Sequence, residues 1–179
     1  MSRKTKRALG ALAVLVALGI AAASTSSYVS QGDSKKRSAT VGWVVDGDTM
    51  DLVGGDTVRL VQIDSPEVME SECYAEDAKR ELIRLAPKGT PVDLEDDPRL
   101  DAEDRYGRLL RYVHADGTNL NVELVRLGAA APYFHSGTRG AHASELLDAV
   151  DEAQDARRGM WGECRVSWSP NGPVTTRSR

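Results

Sequence analysis

The alternation of apolar and polar positions divides the chain into short strands and longer helices. Val41, Trp43, Val44 and Val45 predict a first strand, Asp46-Gly47-Asp48 a turn, and Thr49 to Val53 a second strand. Gly54-Gly55-Asp56 has the composition of a hairpin turn. Thr57 to Ile63 predicts a third strand, with Val58, Leu60 and Gln62 on one face and Arg59, Val61 and Ile63 on the other. An arginine on an otherwise apolar face suggests that it lines a site. Ala75, Ala78, Leu82 and Leu85 recur at helical spacing, so residues 75–86 predict an amphipathic helix that Pro87-Lys88-Gly89 ends. Pro91 to Glu95 and Leu109 to His114 predict two more strands, separated by a polar, acidic loop. Leu120, Leu124, Val125 and Leu127 predict a second helix stopped by Gly128; Ala143, Leu146, Leu147 and Val150 predict a third, running to about Arg158. Gly159-Met160-Trp161-Gly162 breaks it, with Met160 and Trp161 as packing residues that hold it to the strands. Five short strands with a helix between the third and fourth fit an α+β fold built on a small closed barrel of the OB type.

The longest apolar run stands apart from this pattern. Ala8 to Ala23 carries no charge, follows the positive segment Ser2-Arg3-Lys4-Thr5-Lys6-Arg7, and ends in Ala21-Ala22-Ala23-Ser24. A positive head, a short apolar run and a small-residue end predict a secretory signal peptide over residues 1–23. The run is shorter than the roughly 20 residues a spanning helix needs, so a permanent membrane tether is the alternative reading. Residues 24–39, rich in Ser, Lys and Gly without apolar period, predict a flexible linker. The barrel domain is expected over residues 40–165, and a mobile tail over residues 166–179.

Composition and charge narrow the function. The 179 residues are 41% apolar and 28% charged, which excludes a wholly disordered chain. The formal net charge is −4, and removal of the leader takes Arg3, Lys4, Lys6 and Arg7 with no acid, leaving −8. A protein held to nucleic acid by overall positive charge is excluded. An anionic substrate must be met by a local site, with a cation. Two cysteines are too few for a disulfide-dense scaffold or a cysteine-only zinc site. An oxidising destination and an even count predict a Cys73–Cys164 disulfide instead, joining the segment before the first helix to the segment after the third.

The candidate chemistry lies at strand ends. Asp46-Gly47-Asp48-Thr49 and Asp64-Ser65-Pro66-Glu67 are acidic clusters whose oxygens suit calcium or magnesium; singly, each is also ordinary turn chemistry. Arg59 precedes Asp64 by five residues, and Arg105-Tyr106-Gly107-Arg108 opens the fifth strand. Arginine forks match phosphate oxygens, although a single arginine in an acidic chain more often forms a surface ion pair. Two carboxylates for a cation, a third acid and two arginines together make a phosphoryl-transfer set. His114, His135 and His142 have no metal-ligand spacing to one another and read as ordinary surface or half-buried residues.

The ordered segments VVDGDTM, VRLVQIDSPE, DRYGRLLRYVHADG and NVELVRLGAA resemble the thermonuclease, or staphylococcal nuclease-like, family from about Val41 to Trp161. The resemblance implies a five-stranded OB barrel with three helices and calcium-dependent cleavage of DNA and RNA. It implies Asp48, Asp64 and the Ser65 carbonyl as metal ligands, with Asp46 supporting them. It implies Glu67 as the group that activates or positions water, and Arg59 and Arg108 as the groups that hold the scissile phosphate. Arg105 and Tyr106 match positions near the substrate's phosphate, and Tyr133 and Phe134 fall where the family stacks bases. The chain departs from the family at Val68–Cys73, which is short, lacks lysine and carries Glu70 and Glu72. The resulting expectation is a secreted, monomeric, calcium-dependent endonuclease with little sequence specificity. A catalytically silent OB module and a non-hydrolytic calcium-binding module are the alternatives; the filled acid–arginine set speaks against the first, and the lack of an EF-hand loop against the second.

Overall fold

The computed structural model of the chain describes residues 36–179; the expected leader and residues 24–35 of the expected linker lie outside the described residues. In chain order the strands are β1 (Lys36–Val44), β2 (Thr49–Leu52), β3 (Thr57–Leu60) and β4 (Ile63–Asp64), followed by helix α1 (Ala75–Leu85). Then come β5 (Pro91–Glu95), β6 (Leu109–Ala115), β7 (Thr118–Asn119), α2 (Leu120–Arg126) and β8 (Ala131–Pro132). A short 3₁₀ turn (His135–Gly137), α3 (Ala143–Asp155), the single turn α4 (Met160–Glu163), β9 (Cys164–Ser169) and β10 (Gly172–Ser178) complete the chain.

The main sheet runs β3-β2-β1-β5-β6-β7, and β3 also pairs in parallel with β6. That pairing closes β1, β2, β3, β5 and β6 into a five-stranded barrel, which removes the open edges a flat sheet would leave. Val41, Met50, Val58, Leu60, Leu94, Tyr112 and Val113 are buried strand residues of one continuous hydrophobic core. The side of α1 carrying Ala78 and Leu82 and the apolar side of α3 carrying Leu146, Ala149 and Val150 belong to the same core. Burying a leucine such as Leu82 stabilises by about 1.5–3 kcal/mol relative to exposure. Helix α2 is capped by Asn119, whose side chain accepts from the N–H groups of Asn121 and Val122. Fully buried Asn121 ties α2 to the barrel: it accepts from Val113 N at 3.0 Å and donates to Val61 O at 2.8 Å.

Three boundaries differ from the sequence expectation. Residues 36–39, expected as linker, are strand: Lys36 to Ala39 pair with Glu95 to Val92. Ladder hydrogen bonds are made by backbone, so an outward-facing polar stretch can still be strand. The third strand stops at Leu60 rather than Ile63, because Gln62 takes a left-handed conformation (φ 63°). The tail expected to be mobile is a hairpin of β9 and β10. Val174 and Thr176 are buried, and Ala131, Met160 and Cys164 form a small second core with Val174, flanked by Trp161 and Trp168. Trp168 donates to Pro132 O at 2.7 Å. The alternation Val166, Trp168 and Val174, Thr176 marks this hairpin, but Pro, Gly and Ser around it mask the signal.

Cys73 and Cys164 form a disulfide with their Cα atoms 6.0 Å apart, closing a separation of 91 residues. It joins the segment before α1 to the first residue of β9. The chain-entropy model gives about 4–5 kcal/mol as an upper figure for such a loop. A Cys73→Ser, Cys164→Ser double variant is expected to melt roughly 10 °C lower. Thermal unfolding with and without reductant checks this; an unchanged Tm would show that the bridge contributes nothing to stability.

Candidate active site

The turn between β1 and β2 carries the first acids. Val45 N and Asp46 N both donate to Thr49 O, and Asp46 Oδ1 accepts from Asp48 N at 3.0 Å, so the turn folds on itself. This directs Asp48 inward, where it is 4% exposed. Asp48 Oδ2 accepts from Ser65 N at 2.7 Å, and Oδ1 accepts from the Thr49 hydroxyl at 3.0 Å. Gly47 makes this approach possible: a Cβ there would lie 2.7 Å from Ser65 Cβ and 2.8 Å from Ala78 Cβ. The end of β4 supplies Asp64, and β3 supplies Arg59.

Arg59 sits at the centre of the cluster. Its Nη1 donates to Leu60 O at 3.0 Å and Ile63 O at 2.9 Å. Its Nη2 lies 2.8 Å from Asp64 Oδ1 and 3.1 Å from Asp48 Oδ2. The turn at Gln62 is what bends both carbonyls toward one nitrogen. Burial works against the Arg59 charge, but the carboxylates of Asp48, Asp64 and Asp46 outweigh it and hold the pKa above the ordinary arginine value. Asp48 is pushed up to about 7, first by burial and then by Asp46 and Asp64, with Arg59 opposing. Asp64 is raised by burial, with Arg59 and the N–H of Val174 opposing. Glu67 is exposed on the following loop, and its pKa is raised by partial desolvation and by Asp46 and Asp64.

Acids with raised pKa values at a shared site need positive charge. One guanidinium does not neutralise Asp46, Asp48 and Asp64. The donors are hard oxygens only, so the cluster fits calcium or magnesium.

Arg59 also lines an open cleft of about 720 Å³, together with Arg105, Tyr106, Arg108, Tyr133 and His135. Arg108 is anchored by its Nε, which donates to Asp104 Oδ2 at 2.7 Å. Its terminal nitrogens make no hydrogen bond among the described residues, which leaves that end of the fork for an anion. The Tyr106 ring, 68% exposed, lies 4.7 Å from the Arg105 guanidinium and 5.5 Å from that of Arg108. The cleft thus combines cationic forks with an exposed aromatic ring, the two features that meet a polyanion with stacked bases.

The structure brings Asp48, Arg59, Asp64 and Ser65 together and places Arg105, Tyr106, Arg108 and Tyr133 with Arg59 around the cleft. Arg108 does not touch the acids. Phe134 is fully buried in the core, while its neighbour Tyr133 lines the cleft. Of the histidines, His135 is exposed and lines the cleft, whereas His114 and His142 are half-buried, as expected of ordinary residues, but meet at Glu95, a convergence their sequence spacing does not reveal. Four further residues bear on the site; of these, Glu72 stands out in the sequence only as an acid where the family has lysines, and the sequence gives the other three no site role. Asp104 holds Arg108 at i,i+4, a spacing visible in the motif itself. Gln62 is buried and donates to Thr138 O at 2.7 Å. Glu72 accepts from Glu67 N at 2.9 Å and from Thr176 N at 3.2 Å, so it ties loop and hairpin together. Val174 N donates to Asp64 Oδ2 at 2.9 Å across 110 residues. No local pattern announces that last contact.

Residues 57–163 match the family described as staphylococcal nuclease homologue. The match contains Arg59, Asp64, Glu67 and Arg108; Asp48 lies just outside it and is joined to it by the contacts above. The chain is 32% identical over 145 residues to the SPbeta prophage-derived endonuclease YokF of Bacillus subtilis (strain 168), covering 77% of this chain and 46% of that protein. It is 30% identical over 155 residues to the endonuclease YncB of the same organism, covering 83% and 69%. An uncharacterized endonuclease of Haemophilus influenzae is 30% identical over 141 residues, covering 72% and 68%. The chain spans less than half of YokF and about two thirds of the other two. A closed OB-type barrel, acids and an arginine converging at its strand ends, and a family match over most of the described residues have one common account: the chain belongs to the staphylococcal nuclease homologue family.

Proposed function

We propose that the protein is a secreted, calcium-dependent endonuclease that hydrolyses phosphodiester bonds of DNA and RNA with little sequence specificity. The observation that carries this reading is Arg59, which pairs with the buried acids Asp48 and Asp64 and also lines the cleft that holds Arg105, Tyr106 and Arg108. Similarity to proteins named endonucleases supports it. Asp48, Asp64 and the Ser65 carbonyl would hold the calcium ion. When bound, calcium supplies charge neutralisation at the phosphate and a more acidic water.

The side chains then have separate tasks. Glu67, with its pKa raised, is suited to position the attacking water and take its proton. Arg59 is held beside the carboxylates by Leu60 O and Ile63 O through Nη1, and with Asp48 and Asp64 turned to calcium its Nη2 would be free for charge developing on the phosphate. Arg108 brings a second fork from the opposite anchor, Asp104. Water attacks phosphorus, the phosphorus–oxygen ester bond breaks, and the departing oxygen takes up a proton. Arg105, Tyr106 and Tyr133 contact neighbouring nucleotides through charge and ring faces, which does not discriminate among bases.

The leader features of residues 1–23 and the Cys73–Cys164 disulfide support export. Among the described residues, no helix is long and apolar enough to cross a membrane. The deciding experiment incubates plasmid DNA, and separately RNA, with the protein in calcium and in chelator. Cleavage of both in calcium and of neither in chelator is the expected result. Retention of uncut DNA on the protein would favour the silent binding module, and calcium uptake without nucleic acid binding or cleavage would favour the calcium module.

A further inference from the structure

A second group of ligating side chains lies on the barrel wall, and none of its members lines the cleft. Buried Glu95 ends β5, His114 sits on β6, and His142 immediately precedes α3. One ligand atom from each lies within 4.8 Å of the others. His114 Nε2 is 2.7 Å from Glu95 Oε2, and His142 Nε2 is 3.4 Å from Glu95 Oε1.

Hydrogen-bond accounting gives this group its meaning. His142 Nδ1 is 3.0 Å from Glu145 Oε1. A carboxylate only accepts, so Nδ1 carries the proton, and in the neutral ring Nε2 carries the lone pair. That Nε2 is buried and has no hydrogen bond. It faces a Glu95 oxygen, which is also an electron-pair donor. Two electron-pair donors held face to face in a half-buried place are joined by a positive species between them, a proton on Nε2 or a metal ion. Lys36 Nζ, 3.8 Å from Glu95 Oε2 and half exposed, does not fill that place.

We infer that Glu95, His114 and His142 form a transition-metal site of the zinc class, separate from the acid cluster. Two imidazoles and one carboxylate are a zinc ligand set with a fourth position open to water. Nitrogen donors select such a metal over calcium, whereas the oxygen-only cluster at Asp48 does the reverse. Tetrahedral bonds of about 2.0–2.1 Å place ligand atoms about 3.4 Å apart. The Glu95 Oε1–His142 Nε2 separation already matches; His114 Nε2, which donates to Glu95 Oε2, would give up that proton to the solvent and move about 0.7 Å away as the metal enters. Glu145, bonded to the far nitrogen of His142, is the outer carboxylate that fixes the ring and its tautomer.

The bound metal would brace the start of α3 against β5 and β6. The segment leading to His142 includes Thr138, a cleft residue, and is pinned through Gly140 N and Thr138 O to Gln62. The site therefore stiffens the cleft wall without entering the cleft.

The test is titration of the full-length, untagged protein with zinc chloride in saturating calcium, followed by calorimetry and thermal unfolding, with cobalt(II) as an optical probe. One zinc per chain, a raised Tm, and visible cobalt bands of a four-coordinate site are expected. His114→Gln and His142→Gln should each remove the stoichiometric site. Glu145→Gln, a change at an exposed side chain that keeps the fold, should weaken zinc binding about 10–100-fold. Lys36→Met should strengthen it by removing a competing positive charge, and Asp48→Asn should leave it unchanged. No stoichiometric zinc in the wild type, equal zinc binding in the histidine and Glu145 variants, or loss of zinc with Asp48→Asn would each overturn the inference.

Discussion

Asp48→Asn should lose calcium-stimulated DNA cleavage by more than about 10²-fold, yet melt at a higher temperature than the wild type in chelator at pH 7. The two effects have one cause. Asp48 is nearly fully buried, beside Asp46 and Asp64, with a single arginine to offset three carboxylates. Its pKa rises from 3.8 to about 7, so between those values the native protein holds a proton that the unfolded chain has released. Where the native state binds more protons, stability falls as pH rises. The contribution of Asp48 is thus fully present below pH 3.8 and lost as pH rises through about 7. Asparagine keeps an acceptor oxygen for Ser65 N and removes the charge, so the fall over this window should flatten. Saturating calcium should raise the wild-type Tm and have little effect on the variant. Melting curves from pH 4 to 8, with calcium or chelator, check each arm. A variant that cleaves DNA fully in chelator would dismiss Asp48 as a metal ligand; one that melts lower in chelator at pH 7 would show that its hydrogen bonds outweigh its buried charge.

Arg59→Lys should lower kcat by about 10²–10³ while leaving a folded protein. The guanidinium serves four acceptors: Leu60 O and Ile63 O through Nη1, Asp64 and Asp48 through Nη2. Lysine keeps the charge but not the planar fork, and its three donors cannot reproduce that geometry and also face a phosphate. Each carbonyl left without a donor costs about 1–3 kcal/mol, so the variant should also melt lower. Arg108→Lys loses a fork anchored only through Nε, so its cleavage should fall with little change in Tm. Steady-state cleavage of a defined oligonucleotide, read beside melting curves, separates the two variants. Activity of both within about threefold of wild type would mean that charge alone suffices and the fork has no special role.

Much of the barrel was legible because local rules coincide with the global fold. The alternation around Val41, Met50 and Val58, the helical spacing of Ala78 and Leu82, and the stop at Gly128 each act within a few residues; α3 ends at Asp155, a turn before the expected stop at Gly159. The motifs at Asp48, Arg59, Asp64 and Arg108 were legible for the same reason, since each sits at a strand end that the alternation marks. The disulfide needed only a count and a compartment. What failed was composition taken as a guide to order: residues 36–39 and the tail from 166 look like linker. Ladder hydrogen bonds and a few buried side chains such as Val174 place them in sheets.

The sequence by itself determined which residue types stand at the strand ends and which faces must be buried, because both follow from short-range periodicity. Only the tertiary structure decided what those residues meet. Closure of β3 on β6 sets the barrel that holds Arg59 over two carboxylates. The β9–β10 hairpin delivers Val174 N to Asp64 from 110 residues away. Packing of α3 on the barrel brings His142 to Glu95 and His114, 47 and 28 residues distant in the chain. The physical reason is common to all three. Contacts between distant segments depend on how whole elements pack, and no spacing within one element encodes the position of another.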